Sequence, residues 1–470
     1  MAEESKKKMF DAESASVLVK DLRESFGSGR TKNYEWRMSQ LKSIRKMIDD
    51  NEKDIIAALS IDLSKPELES FNTEITMTKK SVNGALKELK HWMKPEKVKT
   101  EIKSSSAEII AEPLGVVLII SPWNFPILLS LLPVIGAIAS GNAVVLKPSE
   151  VAPASSSLLA RFVEDYLDTS AVKVVEGAVS ETTALLEQKW DKIFYTGNGQ
   201  VGRIVMAAAA KHLTPVLLEL GGKSPVVVDS NVDLSVAARR IAFGKWACNN
   251  GQACIAPDYI ITTKSFAPKL VEALQHTLEE LYGRNPLESK DISRIVNSHH
   301  FDRLSKLLDD DKVSGKIVYG GQQDKTNLRI APTLLLNVPG DSLIMQNEIF
   351  GPLLPIVTVD EVEESLEMIQ SKAKPLAAYI FTNDKNLEKR FVSNISSGGM
   401  VVNDTIIQVT VHTLPFGGVG ESGMGAYHGK FSFEAFSHKK AVLYKSLAED
   451  ASGATTEEVP SNLPKRCKKS

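Results

Sequence analysis

Gly115-Val116-Val117-Leu118-Ile119-Ile120-Ser121-Pro122-Trp123-Asn124-Phe125-Pro126 holds the pattern that decides the fold. Residues 116–120 are wholly apolar, as in a parallel strand buried on both faces. Ser121-Pro122 breaks the run, and 127–139 reads as a buried helix. Gly141-Asn142 then turns the chain into a second strand, 143–146, which ends in Lys147-Pro148-Ser149-Glu150. A helix at 155–168, a strand at 172–176, a helix at 181–188 and a strand at 192–196 follow. Alternation of this kind specifies an α/β fold with a doubly wound parallel sheet. Ligands of such sheets sit beyond the carboxyl ends of the strands, where Asn124, Lys147 and Glu150 fall.

Upstream, residues 12–92 read as helical, with Met38, Leu41, Ile44, Met47 and Ile48 recurring at three- and four-residue steps. Pro95 ends that region, and 94–110, rich in Ser and Lys, reads as an irregular or hairpin segment. Downstream of 192–196, Gly197-Asn198-Gly199-Gln200-Val201-Gly202 leads into an Ala-rich helix. This is G-x-G-x-x-G between strand and helix, which predicts a phosphate at the helix N-terminus. The fingerprint wants a ribose-binding acid about twenty residues on, and Glu219 stands near that distance. Lys147-x-x-Glu150 competes for the same task. It is better placed, because its acid has a cationic neighbour, so Glu219 is left for other work.

Residues 217–256 hold the chemistry. Glu219 ends an apolar run, 215–220, that reads as a buried strand, where a carboxylate is costly without work or partners. Gly221-Gly222 follows and lets the backbone turn sharply. Cys254 comes after Asn249-Asn250-Gly251-Gln252-Ala253, polar surroundings in which a thiol can be partly exposed and its thiolate stabilised. Two readings stand at this point: a nucleophilic Cys254 with Glu219 as its nearby base, or a buried free thiol beside a hydrogen-bonded strand-end carboxylate. Cys248, six positions earlier, is either an oxidation partner or a small buried apolar residue.

Length and composition limit the partners. A chain of 470 residues has room for two or three domains, and 43% hydrophobic with 24% charged residues is ordinary for a globular protein. A net charge of −2 offers no overall basic face for nucleic acid. Three cysteines are too few for a disulfide framework, which points to a reducing, cytoplasmic setting. Neither CxxC nor HExxH occurs, so no metal is expected. The first ten residues lack the apolar run of a signal peptide.

Pro122-Trp123-Asn124-Phe125-Pro126, Lys147-Pro148-Ser149-Glu150, Leu218-Glu219-Leu220-Gly221-Gly222-Lys223, Gly251-Gln252-Ala253-Cys254, Glu348-Ile349-Phe350-Gly351-Pro352 and 415–423 (PFGGVGESG) stand in one order. That set resembles the NAD(P)-dependent aldehyde dehydrogenases, and most of all a plant-like member of family 3, over roughly 10–447. The resemblance implies an aldehyde dehydrogenase-like fold. In it 10–92 and 115–218 bind the dinucleotide and 219–403 form an α/β catalytic domain. Residues 93–114 and 404–447 make a small β arm for oligomerisation, in a homodimer. It also implies that Cys254 attacks the aldehyde, that Asn124 and the Cys254 backbone N–H stabilise the oxyanion, and that Glu219 activates the hydrolytic water. Lys147 and Glu150 would take the adenosine ribose, and Gly197, Asn198 and Gly202 the phosphates. Glu348 would take the nicotinamide ribose and Phe350 the ring, with a share of the base role open between Glu348 and Glu219.

Medium- to long-chain aliphatic aldehydes are the implied substrates, including those from lipid peroxidation. That suggests a part in aldehyde detoxification and stress response. NAD is expected to be preferred and NADP accepted. One departure is Gly199, a second glycine where the family's turn carries none, which makes the phosphate loop more pliant. Another is the tail, 448–470: polar, then basic, and expected to be disordered, where many family 3 members carry an apolar anchor. Cys467 stands fourth from the end, but lysines fill the positions that prenylation needs aliphatic. No stable membrane span is expected.

Overall fold

Strand Val116–Ile120 lies inside a six-stranded sheet, flanked by Lys192–Thr196 and Ala143–Lys147. The computed structural model describes residues 10–102 and 104–447; the tail with Cys467 lies outside them. The sheet continues to Val172–Val174 on one side and to Val216–Glu219 on the other, all parallel. Gly423–Met424 closes that second edge, antiparallel to Leu218 and Glu219. The apolar run is buried on both faces, as its composition requires. Val117 and Ile119 pack with helices Tyr34–Asp50, Glu52–Leu63, Met77–Trp92, Leu128–Ser140 and Pro153–Tyr166. Val116, Leu118 and Ile120 pack with Ala12–Gly27, Val179–Leu186 and Gly199–Ala210. Each such side chain stabilises the sheet by about 1.5–3 kcal/mol.

A second sheet of seven strands holds most of the remaining chain. Its order is Ile317–Tyr319, Thr333–Leu336, Leu353–Val359, Tyr259–Thr263, Pro225–Val228, Ala377–Phe381 and Gly399–Val402. Only the Ile317–Tyr319 edge is antiparallel. The segment joining the two sheets, between Glu219 and Pro225, carries the Gly-Gly turn.

The Ser- and Lys-rich stretch forms a hairpin: Glu96–Val98 pairs antiparallel with Ser105–Pro113. Ser437–Lys445 pairs with the other side of Ser105–Pro113 along its whole length, making a three-stranded sheet. Residues 404–447, expected as arm, are in fact divided. Gly423–Met424 belongs to the first sheet. Tyr427, Phe433 and Phe436 fill the first core, with Tyr427 edge-on to Phe194 at 5.0 Å. These apolar residues gain more from that core than a thin arm could give them. Among the described residues, no helix is long and apolar enough to cross a membrane.

Candidate active site

The loop 121–127 leaves the carboxyl end of Val116–Ile120 and places Asn124 beneath the surface. Ser121 N donates to Lys147 O at 3.1 Å, tying the loop's start to the neighbouring strand. The Asn124 Nδ2 donates to Gln252 O at 3.1 Å. In return, Asn124 O accepts from Asn249 Nδ2 at 2.9 Å. Asn124 is therefore stitched to the loop that carries Cys254. One of its two amide protons is engaged among the described residues, which leaves the other for a ligand.

The Cys254 loop is built on unusual backbone. Asn249, Asn250 and Gly251 have φ of 52°, 49° and 79°, all in the left-handed region. Asn tolerates this better than most residues, and local bonds hold it. The polar side chains that suggested a stabilised thiolate are used to build this loop. Asn249 Nδ2 also reaches Gln252 O (3.2 Å), Asn250 Nδ2 reaches Ser293 O (3.2 Å) and Gln252 Nε2 reaches Arg294 O (2.9 Å). None of them is spent on sulfur. Cys254 is partly exposed, as expected, and packs against the second core, as Phe416 and Leu128 also do. Burial first, and then the Glu348 and Glu219 carboxylates, push its thiol well above the ordinary range, while its own backbone N–H pulls the other way. The expectation of a thiolate stabilised by its polar neighbours is thus corrected for the resting protein. Cys248 is a buried free thiol in the second core.

Glu219 ends its strand inside the protein, 2% exposed, and neither carboxylate oxygen has a hydrogen-bond partner among the described residues. Burial raises its pKa well above the usual carboxylate range. Its backbone O accepts from Gly197 N at 3.0 Å, which joins it to the glycine-rich loop. Glu348 stands beside the Gly-Gly turn that follows Glu219. Its carboxylate lies against the Cα of Gly221, and a Cβ there would collide with it. Burial pushes Glu348 up to about 8, helped by Asp258 and opposed by the Gly222 backbone N–H, Lys223 and Arg303. Lys223 pairs with Asp258, whose Oδ1 accepts from Ile349 N at 2.8 Å, while Arg303 Nη2 donates to Ile349 O at 2.7 Å. The turn carrying Glu348 is thereby clamped. Phe350, at φ 51°, aims its ring at Trp123, edge-on at 5.4 Å, and Trp123 meets His300 at 5.2 Å.

At the carboxyl ends of the first sheet, the buried Lys147 Nζ bonds Glu150 Oε2 at 2.7 Å, and the Glu150 side chain stays 43% exposed. An acid that is anchored yet open can accept from a sugar hydroxyl. Gly197 follows strand Lys192–Thr196, and the Asn198 side chain caps the following helix through Val201 N at 2.9 Å. At Gly202 a Cβ would sit 3.0 Å from Leu220 Cδ2, so glycine allows this helix to lie close to the strand. Gly199 does not loosen the loop, contrary to expectation: it is the first residue of helix Gly199–Ala210 and has no positive φ. The half-open Glu150, the unbonded Glu348 Oε1 and the solvent-facing start of helix Gly199–Ala210 together fit a dinucleotide. Trp123, His300, Gly221 and the Lys223–Asp258–Arg303 clamp were not singled out as site residues in the sequence. Trp123 and Gly221 stood inside quoted motifs, whereas His300 carries no signal short of the fold.

Residues 5–442 match the aldehyde dehydrogenase family. Aldehyde dehydrogenase family 3 member H1 of Arabidopsis thaliana is 65% identical over 447 residues, covering 95% of this chain and 92% of that one. A dimeric, NADP-preferring aldehyde dehydrogenase of Rattus norvegicus is 48% identical over 455 residues, covering 96% and 99%. Among solved structures, the substrate-bound state of Staphylococcus aureus AldH is similar with a TM-score of 0.90 at 43% identity, covering 92% of this chain and 94% of that chain.

Proposed function

The chain belongs to the aldehyde dehydrogenase family, with family 3 members as its relatives, and from that premise we propose that it oxidises aliphatic aldehydes to acids through a covalent bond to Cys254. The observation that carries this reading is a partly exposed thiol that feels the charge of a buried Glu219, neither of whose oxygens is hydrogen-bonded among the described residues. Cys254 loses its proton and its sulfur attacks the aldehyde carbon, giving a thiohemiacetal. The oxygen that gains charge is met by the Asn124 amide and the Cys254 backbone N–H, donors set in place before reaction. NAD, when bound, supplies the hydride acceptor of the oxidation. Glu219 then takes a proton from the water that attacks the resulting thioester, releasing the acid and the thiol. Glu219 needs its unprotonated form for this. Its raised pKa makes it a strong base once it ionises.

The first sheet is the proposed dinucleotide-binding part and the second the catalytic part. Lys147 and Glu150 would hold the adenosine ribose, Gly197, Asn198 and Gly202 the phosphates, and Glu348 with Phe350 the nicotinamide end. Gly221→Ala tests the Glu348 assignment, since the new methyl would displace the carboxylate. Losing a charge-assisted bond of about 1.5–3 kcal/mol should raise the KM for NAD by about 10- to 150-fold. An unchanged KM would take Glu348 out of the ribose site.

Cofactor preference is proposed to rest on Glu150. A 2′-hydroxyl can donate to it, whereas a 2′-phosphate meets like charge, at a cost of about 1–4 kcal/mol at close range. The rat relative is named for preferring NADP, so family membership leaves the choice to local charge. Glu150→Gln is expected to raise kcat/KM for NADP and lower it for NAD. A wild-type enzyme that already favours NADP, or a ratio that does not move, would remove Glu150 as the discriminator.

For the substrate, the apolar surround of Cys254, with Phe416, Leu128 and Leu129 in the same cluster, supports medium- to long-chain aldehydes. A series of straight-chain aldehydes of increasing length, read as kcat/KM, tests this: a fall with length contradicts it. Detoxification of lipid-derived aldehydes is the proposed role. A homodimer is supported by the open edge of Ser437–Lys445, where Leu443 and Tyr444 are exposed. The free thiols Cys248 and Cys254 favour a cytoplasmic setting.

A further inference from the structure

Lys65 has no exposed side-chain surface, far from where lysines usually sit. Helix Glu52–Leu63 ends at Ser64, whose left-handed φ of 48° reverses the chain. The next helical run starts at Glu67, so Lys65 occupies the corner between two helices and points inward. Its three ammonium protons have three destinations. Glu74 Oε1 lies at 2.7 Å, Asn124 O at 3.2 Å, and the Phe125 ring centroid at 4.1 Å. Glu74 likewise has no exposed side-chain surface and stands on a π-helical turn, Phe71–Thr76. Its other oxygen accepts from Ile127 N (3.1 Å) and Leu128 N (2.9 Å), at the start of helix Leu128–Ser140. A carboxylate is favoured there by the helix dipole.

The pair therefore grips both ends of the short stretch that carries Asn124. Lys65 holds its carbonyl and Glu74 holds the helix that follows. Asn249, on the Cys254 loop, shares the same carbonyl, and Glu69 Oε1 accepts from Asn249 N at 2.7 Å. Burying both charges brings a large desolvation cost, and an apolar pair of similar size often packs as stably. An apolar pair could not donate to Asn124 O. What the ion pair adds is position.

We propose that Lys65, held by Glu74, is a positioning residue that fixes the Asn124 amide for the oxyanion. The proposal rests on the reading of Asn124 as oxyanion donor. Losing such a donor outright costs about 10²–10³ in rate, and a donor left in place but loosely held should cost about tenfold. Lys65→Met is the direct variant. Lys65→Met with Glu74→Gln is the second, since it removes both charges of the pair together and keeps an acceptor for Ile127 N and Leu128 N.

Both variants are compared with Asn124→Ala by acylation with p-nitrophenyl acetate, without cofactor. In that reaction the Cys254 sulfur bonds to the acyl carbon, the p-nitrophenolate oxygen leaves and the thiol proton passes to solvent, through the same kind of oxyanion. NAD affinity, from quenching of protein fluorescence, reports the rest of the molecule. Acylation about tenfold slower at saturating ester, with NAD affinity within about twofold of wild type and no further loss when Lys65→Met is added to Asn124→Ala, is the expected result. Unchanged acylation in the Lys65 variants while Asn124→Ala is slow overturns the proposal and spares the role of Asn124. Additive losses overturn it too. Loss of NAD binding in both variants makes the pair a stability element and overturns it as well. Normal acylation in Asn124→Ala overturns the role of Asn124 itself, and the proposal with it.

Discussion

Cys254→Ser should lower aldehyde-dependent NADH formation at least about a thousandfold, while the protein still folds and binds NAD. A serine hydroxyl is a usable nucleophile only with a base poised to take its proton. The carboxyls near position 254 are Glu348 and Glu219, and both are pushed towards their protonated forms by burial. The smaller hydroxyl also fits where the thiol sat, so little packing is lost. The groups proposed to hold the adenosine end lie on the first sheet, at Lys147, Glu150 and the loop from Gly197, apart from the second core against which Cys254 packs. NAD affinity should therefore survive. Near-normal NADH production by this variant would end the covalent account.

Glu219→Gln carries the second largest effect. Steady-state turnover should fall by about 10²–10⁴, the usual contribution of a general base. Neither oxygen of Glu219 is hydrogen-bonded among the described residues, so the amide breaks no contact that holds the fold. Formation of the thioester does not need this base. A single-turnover experiment should therefore show a burst of NADH followed by a slow phase. The pH dependence has a definite sign. Cys254 and Glu219 must both lose a proton to act, and both are raised above their ordinary values, so wild-type turnover should climb from neutral into alkaline pH. In the variant, the part of that climb due to hydrolysis should disappear. Loss of the burst would mean that Glu219 acts earlier, in taking the proton from Cys254.

Much of the fold could be read from 115–196, because strands buried on both faces are short apolar runs and the turn signals between them mark out the connecting helices. The Gly-Gly turn after Glu219 was equally plain, whereas 94–110 could be read as irregular or as a hairpin, and strand pairing decides for the hairpin. The environment of Cys254 was not. Asn249, Asn250 and Gln252 suggested a polar pocket, yet each spends its amide on a backbone carbonyl of the loops around it. Composition cannot say which way an amide points. Gly199 suggested a loose turn, but the helix, capped by Asn198, begins at Gly199 itself, inside the glycine-rich stretch and not after it. Lys65 and Glu74 stood in a stretch of ordinary charged helix. Their burial comes from packing against the loop at 121–127, far away in sequence, and nothing local announces it. The division of 404–447 between pairing with Ser105–Pro113 and packing in the first core is of the same kind, since Tyr427 and Phe436 meet Phe194 far away in sequence.

The most direct test of the central claim is to look for the acyl enzyme itself. Glu219→Gln is mixed with NAD and octanal, quenched in acid during the slow phase, digested and examined by mass spectrometry. The peptide containing Cys254 should carry an octanoyl group, removable by hydroxylamine as a thioester is, in an amount matching the NADH burst. NADH formed with Cys254 unmodified, or with the acyl group on another residue, would contradict the assignment of Cys254 as the residue that carries the substrate.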